Sequence, residues 1–330
     1  MDNVKRTLSY VEPKTKITNE FPLMGIVKRT LSYVEIKTKI TSIFPFLMGL
    51  AYLHSSGYRI DPLKTAVFFL GMFCFDLTAT TVNNYYDTKK NHQTLQFARR
   101  TAMAILLALF AVSVFLGLFL VYLSDPVVLL LGVLCFFFGI IYSYGPVPIS
   151  HGPYGEIVSG FFYGLLIPAI LIYINVPEGG LFSYLLDDWK LSVILDIRSV
   201  AGLLMLSVVP FCLTANIMLA NNICDVKRDV AVNRYTLPYY LGKKALWLFA
   251  ALYYMAYLSV IAMVAVGFLS PLSLILLISL IPVQKNINLF FEKQIKEETF
   301  IVSIKNFLIV IILHTLLIFL GSFLPGWGPR

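Results

Sequence analysis

Nine apolar stretches dominate the chain, each approaching the roughly 20 residues that carry a helix across a bilayer. They lie near residues 37–54, 62–82, 101–122, 126–144, 156–174, 199–218, 245–266, 269–283 and 302–323. In hydrocarbon every backbone polar group must be satisfied inside the segment, which a helix achieves. The stretches are therefore expected as transmembrane helices. Composition agrees, because only 13% of residues are charged and 58% are hydrophobic, whereas a soluble domain carries about 25% charged residues. Disorder, a collagen-like fibre and a secreted disulfide scaffold are excluded on the same grounds. Cys74, Cys135, Cys212 and Cys224 are scattered without CxxC spacing, and His54, His92, His151 and His314 are equally dispersed. Neither a disulfide framework nor a metal site built on these residues is supported.

Lys and Arg outnumber acidic residues 26 to 18. In so apolar a chain this surplus reads as topology, since cationic loops stay cytoplasmic, and no nucleic-acid partner is expected. Of the 26 cations, 21 lie before or at the start of the first span and in or beside connections 2–3, 6–7 and 8–9; only Arg59, Lys64, Lys190, Arg198 and Arg330 fall to the other face. A multi-pass cell-membrane protein follows, with its N-terminus inside and its C-terminus outside. The outer connection from Asn175 to Arg198 carries Glu178, Asp187, Asp188 and Asp196 and is expected as a solvated loop. The charged connection Gln284 to Glu298, on the inner side, is also read as solvated surface.

The chain begins with a repeat. Val4 to Thr18 and Val27 to Thr41 are identical except that Pro13 is replaced by Ile36. Only the second copy runs on into an apolar span, so residues 1–26 are read as a duplicated, non-spanning extension and 27–330 as one transmembrane domain.

Two polar strings end the second and sixth spans: Asn83 to Asn91 (NNYYDTKKN) and Asn221 to Asp229 (NNICDVKRD). Oxygen-bearing side chains recur every four residues, as Asn83, Asp87, Asn91 and as Asn221, Asp225, Asp229. On a helix that spacing lines them along one face. The two strings lie four spans apart, hence on the same membrane side, as in a parallel repeat whose two oxygen columns can face each other. Carboxylate and amide oxygens suit Mg²⁺, which is bound through one or two carboxylates plus substrate phosphates. The neighbouring Lys89, Lys90, Lys227, Arg228 and Arg234 suit the phosphates.

With NNYYD before Lys89-Lys90, and NNICDVKRD before NRYTLPYYLG, the chain resembles the UbiA superfamily of intramembrane prenyltransferases. It is most similar to the 1,4-dihydroxy-2-naphthoate polyprenyltransferase branch, on Asn221-Asn222, on Thr236-Leu237-Pro238, and on Tyr142 to Pro146 with Gly155-Glu156 downstream. The resemblance implies an all-α fold of nine transmembrane helices around a central cavity. It implies a Mg²⁺-dependent transfer of a polyprenyl chain from a polyprenyl diphosphate to an aromatic acceptor such as dihydroxynaphthoate, with loss of the ring carboxylate, in menaquinone biosynthesis. Asp87, Asp225 and Asp229 would be catalytic, and with Asn83 and Asn222 they would form the metal set. Lys89, Lys90, Lys227, Arg228, Arg234 and Tyr142 would face the donor diphosphate. Asn84 stands where the family usually has Asp, and Asn91 where some branches have a third.

An allylic diphosphate ionises when charge building on its leaving group is stabilised, and aromatic faces shield the resulting cation. Tyr85, Tyr86, Tyr142 and Tyr144 lie near the expected active face. Asp76, seven residues before Asn83, costs about 2.5–3.5 kcal/mol at membrane depth and is expected either to line the cavity or to make an interhelical hydrogen bond. Glu156 is expected to cap a helix or to contact substrate, and Gly145-Pro146 with Pro148 to form a rigid turn. The competing readings are a transferase for another acceptor, such as 4-hydroxybenzoate, and a secondary transporter. Transporters place polar breaks at the bilayer midplane, whereas these strings end helices.

Overall fold

The computed structural model describes residues 22–90, 95–145 and 148–327. Its helices are α1 (Pro22–Tyr33), α2 (Ile40–Ser55), α3 (Pro62–Lys90), α4 (Arg99–Leu123), α5 (Pro126–Ser143), α6 (Gly155–Ser159), α7 (Ile167–Asn175), α8 (Ile197–Ala231), α9 (Leu237–Leu241), α10 (Lys244–Val266), α11 (Leu280–Glu292) and α12 (Ile301–Gly321). A π-helical stretch, Gly160–Leu166, joins α6 to α7 as one rod, and a 3₁₀ stretch, Pro271–Ser279, leads into α11. Among the described residues eight helices are long and apolar enough to cross a membrane. The ninth expected segment is α2, which at 16 residues is shorter and packs against α7 and α12. Of the duplicated extension, residues 1–21 lie outside the described residues, and α1 runs through the expected boundary at residue 26.

Helix starts follow local chemistry. Asp61 accepts from the backbone N–H groups of Leu63 and Lys64 at 2.9 and 3.0 Å. Asp125 accepts from Val127 N–H at 2.7 Å. In both cases the next residue is a proline, which needs no partner for a missing N–H at the first helical position. Asp196 caps α8 through Ser199 N–H at 3.1 Å.

The bundle is tightest where the rod of α6 and α7 crosses α8. A β-carbon on Gly164 would lie 2.2 Å from the backbone nitrogen of Phe211, so the two backbones touch beside Pro210 of α8. The buried core gathers around α8, α10, α12 and α2.

Two helices outrun the bilayer. At 1.5 Å per residue α3 (29 residues) and α8 (35 residues) span about 44 and 52 Å, against about 30 Å of hydrocarbon. Their C-terminal turns, which carry the two polar strings, can therefore project beyond the apolar layer.

One expectation is corrected. The acidic connection after α7 is not an irregular loop but an antiparallel hairpin, β1 (Phe182–Asp187) with β2 (Lys190–Leu195), in register Phe182↔Leu195 through Asp187↔Lys190. Its two-residue turn places Asp188 and Trp189 at φ 43° and 62°, the left-handed pairing that matches strand twist in tight hairpins. The acidic residues sit at the turn and ends, while the strands between them are largely apolar.

Candidate active site

A cavity of about 720 Å³ opens between α3, α4, α5 and the α6–α7 rod, with Met218 and Asn221 contributed by α8. Along α3 its lining runs from Val67 to Asn83, about 24 Å of helix axis. The walls are apolar, with Phe75, Phe110, Phe136, Phe137, Phe138 and Phe162 among them. Polar groups gather where α3 and α8 carry their strings: Glu35, Asn83, Tyr142, Ser150, Asn221 and Arg234 all line it. Asn83 of the first string and Asn221 of the second thus share one chamber.

On α8 the four-residue column is intact. The Lys296 ammonium contacts both Asn221 Oδ1 and Asp225 Oδ2 and sits 5.5 Å from the Phe300 ring centre. One turn on, Asp229 is buried, with Arg234 Nη1 3.5 Å from its Oδ1, while its Oδ2 is buried without a partner. The Arg234 backbone N–H donates to Asp229 O at 2.8 Å, and its guanidinium Nη2 donates to Ser150 O at 3.1 Å. Tyr235 N–H donates to His151 O at 2.9 Å. The segment after α8 is thereby clamped to the loop before α6, which fixes Arg234 at the cavity. Tyr142 is placed by Ser159 Oγ at 3.3 Å and Met218 Sδ at 3.6 Å.

Three residues depart from the expected set. Asn222 does not join the oxygen column: its Nδ2 donates to Glu156 Oε1 at 2.8 Å and its Oδ1 is buried. One residue is about 100° of helix rotation, which turns Asn222 toward α6 while Asn221 faces the cavity. Lys227 and Arg228 are exposed and do not line the chamber: Lys227 is turned well away from Asn221, and Arg228, seven residues on and back on nearly the same face, lies about 10 Å further along the axis. Glu156 is buried against Asn222 and makes a polar tie between α6 and α8.

In the first string Asp87, Lys89 and Lys90 continue α3, but their side chains, and Asn91, lie outside the described residues. Asn84 donates through Nδ2 to Tyr33 O at 2.9 Å and to Glu35 Oε1 at 3.1 Å. An aspartate there would set a carboxylate against a carbonyl and another carboxylate, which accounts for the amide. Tyr86 packs on Tyr144 with ring centres 4.5 Å apart, and Arg99 lies 5.3 Å over Tyr85. Tyr33 is fully buried, and burial, with the neighbouring Tyr85, pushes its phenol up to about 12.

Asp76 satisfies both of its expected readings, as it lines the cavity and bonds between helices. Its carboxylate takes Lys39 Nζ at 2.9 Å, Ser42 Oγ at 2.6 Å and Tyr163 OH at 2.8 Å. No sequence pattern singles out Lys39 or Lys296. Lys39 lay inside the first apolar stretch, and Lys296 in a connection read as solvated surface. The one available signal for Lys296 was that its connection shares a membrane face with the strings.

Among the described residues no group of three His, Cys, Asp or Glu forms a metal cluster. The donors that converge are hard oxygens from Asn221 and Asp225, already drawn onto one cation, with a buried unpartnered oxygen on Asp229. This donor chemistry fits Mg²⁺ better than a softer metal.

Residues 42–303 match the UbiA prenyltransferase family. The chain is 25% identical over 227 residues to 1,4-dihydroxy-2-naphthoate octaprenyltransferase of Bacillus subtilis (strain 168), a match covering 64% of this chain and 66% of that enzyme's length, just under two thirds. A solved structure of digeranylgeranylglyceryl phosphate synthase superposes with TM-score 0.61 at 19% identity, covering 89% of this chain and 98% of that one. A UbiA homologue from Archaeoglobus fulgidus does so with TM-score 0.58 at 14% identity, again over 89% and 98%. These likenesses carry the fold.

Proposed function

The chain belongs to the UbiA prenyltransferase family, and we propose that it transfers a polyprenyl chain from a polyprenyl diphosphate to an aromatic acceptor of the 1,4-dihydroxy-2-naphthoate class, a step of menaquinone biosynthesis. The observation that carries this reading is a single cavity, about 24 Å long along α3, with Asn83, Asn221 and Arg234 at one end and an apolar wall from Val67 to Phe75 towards the other. A molecule with a charged head and a long hydrocarbon tail matches that division. The naphthoate branch rests on the likeness to the Bacillus enzyme and on the Asn-Asn and Thr-Leu-Pro sequence signals. Family membership disfavours the transporter reading.

Asn83, Asp87, Asn221, Asp225 and Asp229 would hold Mg²⁺, which when bound supplies charge neutralisation for the leaving diphosphate. Arg234, held by Asp229 and Ser150, presents a guanidinium at the same end and favours charge growing on the departing oxygens. The donor's C1–O bond breaks with its electron pair going to diphosphate. The allylic cation is then met by an electron pair of the acceptor ring, and the displaced ring carboxylate leaves as CO₂. Tyr142 and the phenylalanines of the wall keep water from the cation and offer ring faces to it. The polar end and the N-terminus face the cytoplasm in this reading, by the distribution of lysine and arginine.

The test is a purified-protein assay with one polyprenyl diphosphate and a panel of acceptors, with and without Mg²⁺. Prenylated dihydroxynaphthoate product, lost in Asp225→Asn and after chelation, is the expected result. Turnover of 4-hydroxybenzoate in preference would reassign the acceptor. Undiminished turnover in Asp225→Asn would overturn the site.

A further inference from the structure

We propose that Lys296 is a resident counter-cation of the second polar string, holding Asn221 and Asp225 until a divalent metal arriving with a diphosphate displaces it. The inference rests on the metal–diphosphate reading above and concerns what occupies the α8 oxygens before that pair binds. The Lys296 ammonium touches Asn221 Oδ1 and Asp225 Oδ2 together, which are the two oxygens one helical turn apart that a metal on this column would take. A Phe300 ring 5.5 Å away faces the same charge, so two oxygens and an aromatic face surround it.

The segment that delivers Lys296 is braced rather than loose. Thr299 Oγ1 accepts from Ile295 N–H at 2.9 Å, and Thr299 N–H donates to Ile295 O at 2.8 Å. Gln294 Nε2 donates to the carbonyls of Phe290 and Phe291, the last turn of α11, at 2.6 and 2.9 Å. Lys296 keeps about a third of its side chain exposed, so its flexible stem can withdraw without unfolding the segment. Two cations cannot share one pair of oxygens: like charges a few ångströms apart repel strongly at the reduced dielectric of such a site. An incoming diphosphate changes this balance, because it brings negative charge to which both the metal and the freed ammonium are attracted. Metal affinity without diphosphate is therefore held down by Lys296, and diphosphate restores it. Lys296 acts through Asn221 and Asp225 and is a positioning residue.

The experiment measures Mn²⁺ binding by the loss of its free electron-paramagnetic-resonance signal, using the full chain in nanodiscs, with and without inorganic pyrophosphate, each against empty nanodiscs at the same pyrophosphate concentration, because pyrophosphate itself complexes Mn²⁺. Wild type is expected to bind weakly alone and at least tenfold more tightly with pyrophosphate. Lys296→Met should bind Mn²⁺ at least tenfold more tightly than wild type when pyrophosphate is absent, and should gain less from adding it. Lys296→Arg, which keeps the charge, should behave as wild type and controls for damage to the segment. Equal or weaker Mn²⁺ binding by Lys296→Met, with wild type still responding to pyrophosphate, overturns this inference alone. No binding by wild type even with pyrophosphate overturns both it and the metal–diphosphate reading.

Discussion

Replacing Asp76 by leucine strands a lysine inside the protein. Lys39 and Asp76 are 2% and 5% exposed, and the carboxylate is the ammonium's only charged partner among the described residues. Once it is gone, Lys39 keeps the Thr80 hydroxyl at 2.5 Å and the Asp76 carbonyl at 3.1 Å, neither of which carries charge. Breaking a buried pair from one side costs about 3–5 kcal/mol, or two to nearly four decades in the folded-to-unfolded ratio at about 1.4 kcal/mol per decade. Lys39→Met is expected to cost less. The carboxylate it leaves behind keeps two hydrogen-bond donors, Ser42 and Tyr163, so it is not stripped of partners. The double variant Lys39→Met/Asp76→Leu should recover most of the loss, because replacing both members by apolar groups of similar volume is often near neutral. Denaturation in mixed micelles, followed by tryptophan emission, gives the cycle, with Mn²⁺ and pyrophosphate binding as a check that the polar end is intact. If the two single losses simply add in the double variant, the pair is not coupled and the reasoning fails.

Other substitutions test the packing and the site. Asn84→Asp exchanges a donor for a carboxylate facing Tyr33 O and Glu35 Oε1; a loss of about 1–3 kcal/mol is expected in the same denaturation assay, and it should shrink when Glu35→Gln is added. Gly164→Leu meets backbone, not a yielding side chain, at Phe211. It should reduce the yield of monodisperse protein sharply, by a strain at the upper end of the about 1–3 kcal/mol typical of overpacking, whereas Gly132→Ala, with nothing within 4 Å of the added carbon, should be neutral. Arg234→Met should raise KM for the diphosphate donor and lower kcat together, since the guanidinium acts on both ground state and leaving group. An unchanged donor KM would remove Arg234 from that role.

The helices were readable because each is an uninterrupted apolar run, and the ends of α3 and α8 because polar residues replace that run at a four-residue spacing. What could not be read depended on rotation and on distant partners. Asn221 and Asn222 are adjacent and identical in type, yet one faces the cavity and the other pairs with Glu156; only the setting of α8 against α6 separates them. The hairpin from Phe182 to Leu195 carries its charge at the turn and ends, so its short apolar strands do not stand out from a charged connection. Lys39 sits 37 residues from Asp76, and Lys296 sits 71 from Asp225, so no local pattern announces either pair.

These two lysines make the charge balance of the site different from the one its carboxylates suggest. Asp225 and Asp229 would present two negative charges to a metal, but each is already paired, with Lys296 and with Arg234. Asn83, which alone of the first-string oxygens is described at the cavity, contributes an amide and no charge. The α8 string, whose Asn221 lines the chamber while Asp225 and Asp229 lie one and two turns beyond that lining, is therefore close to neutral before any donor arrives. A neutral site has little attraction for a free divalent cation, since the gain from a shared carboxylate must exceed the loss of its ammonium or guanidinium partner. A diphosphate reverses this, because its own charges supply the partners that the metal, Lys296 and Arg234 need at once. On the proposed function, binding of metal and donor is then mutually dependent, and by linkage each raises the other's affinity by the same factor. The amide at Asn83 fits this arrangement: on the metal–diphosphate reading proposed above, a carboxylate at the cavity there would retain metal without donor, whereas an amide leaves the metal to be held when a leaving group is present.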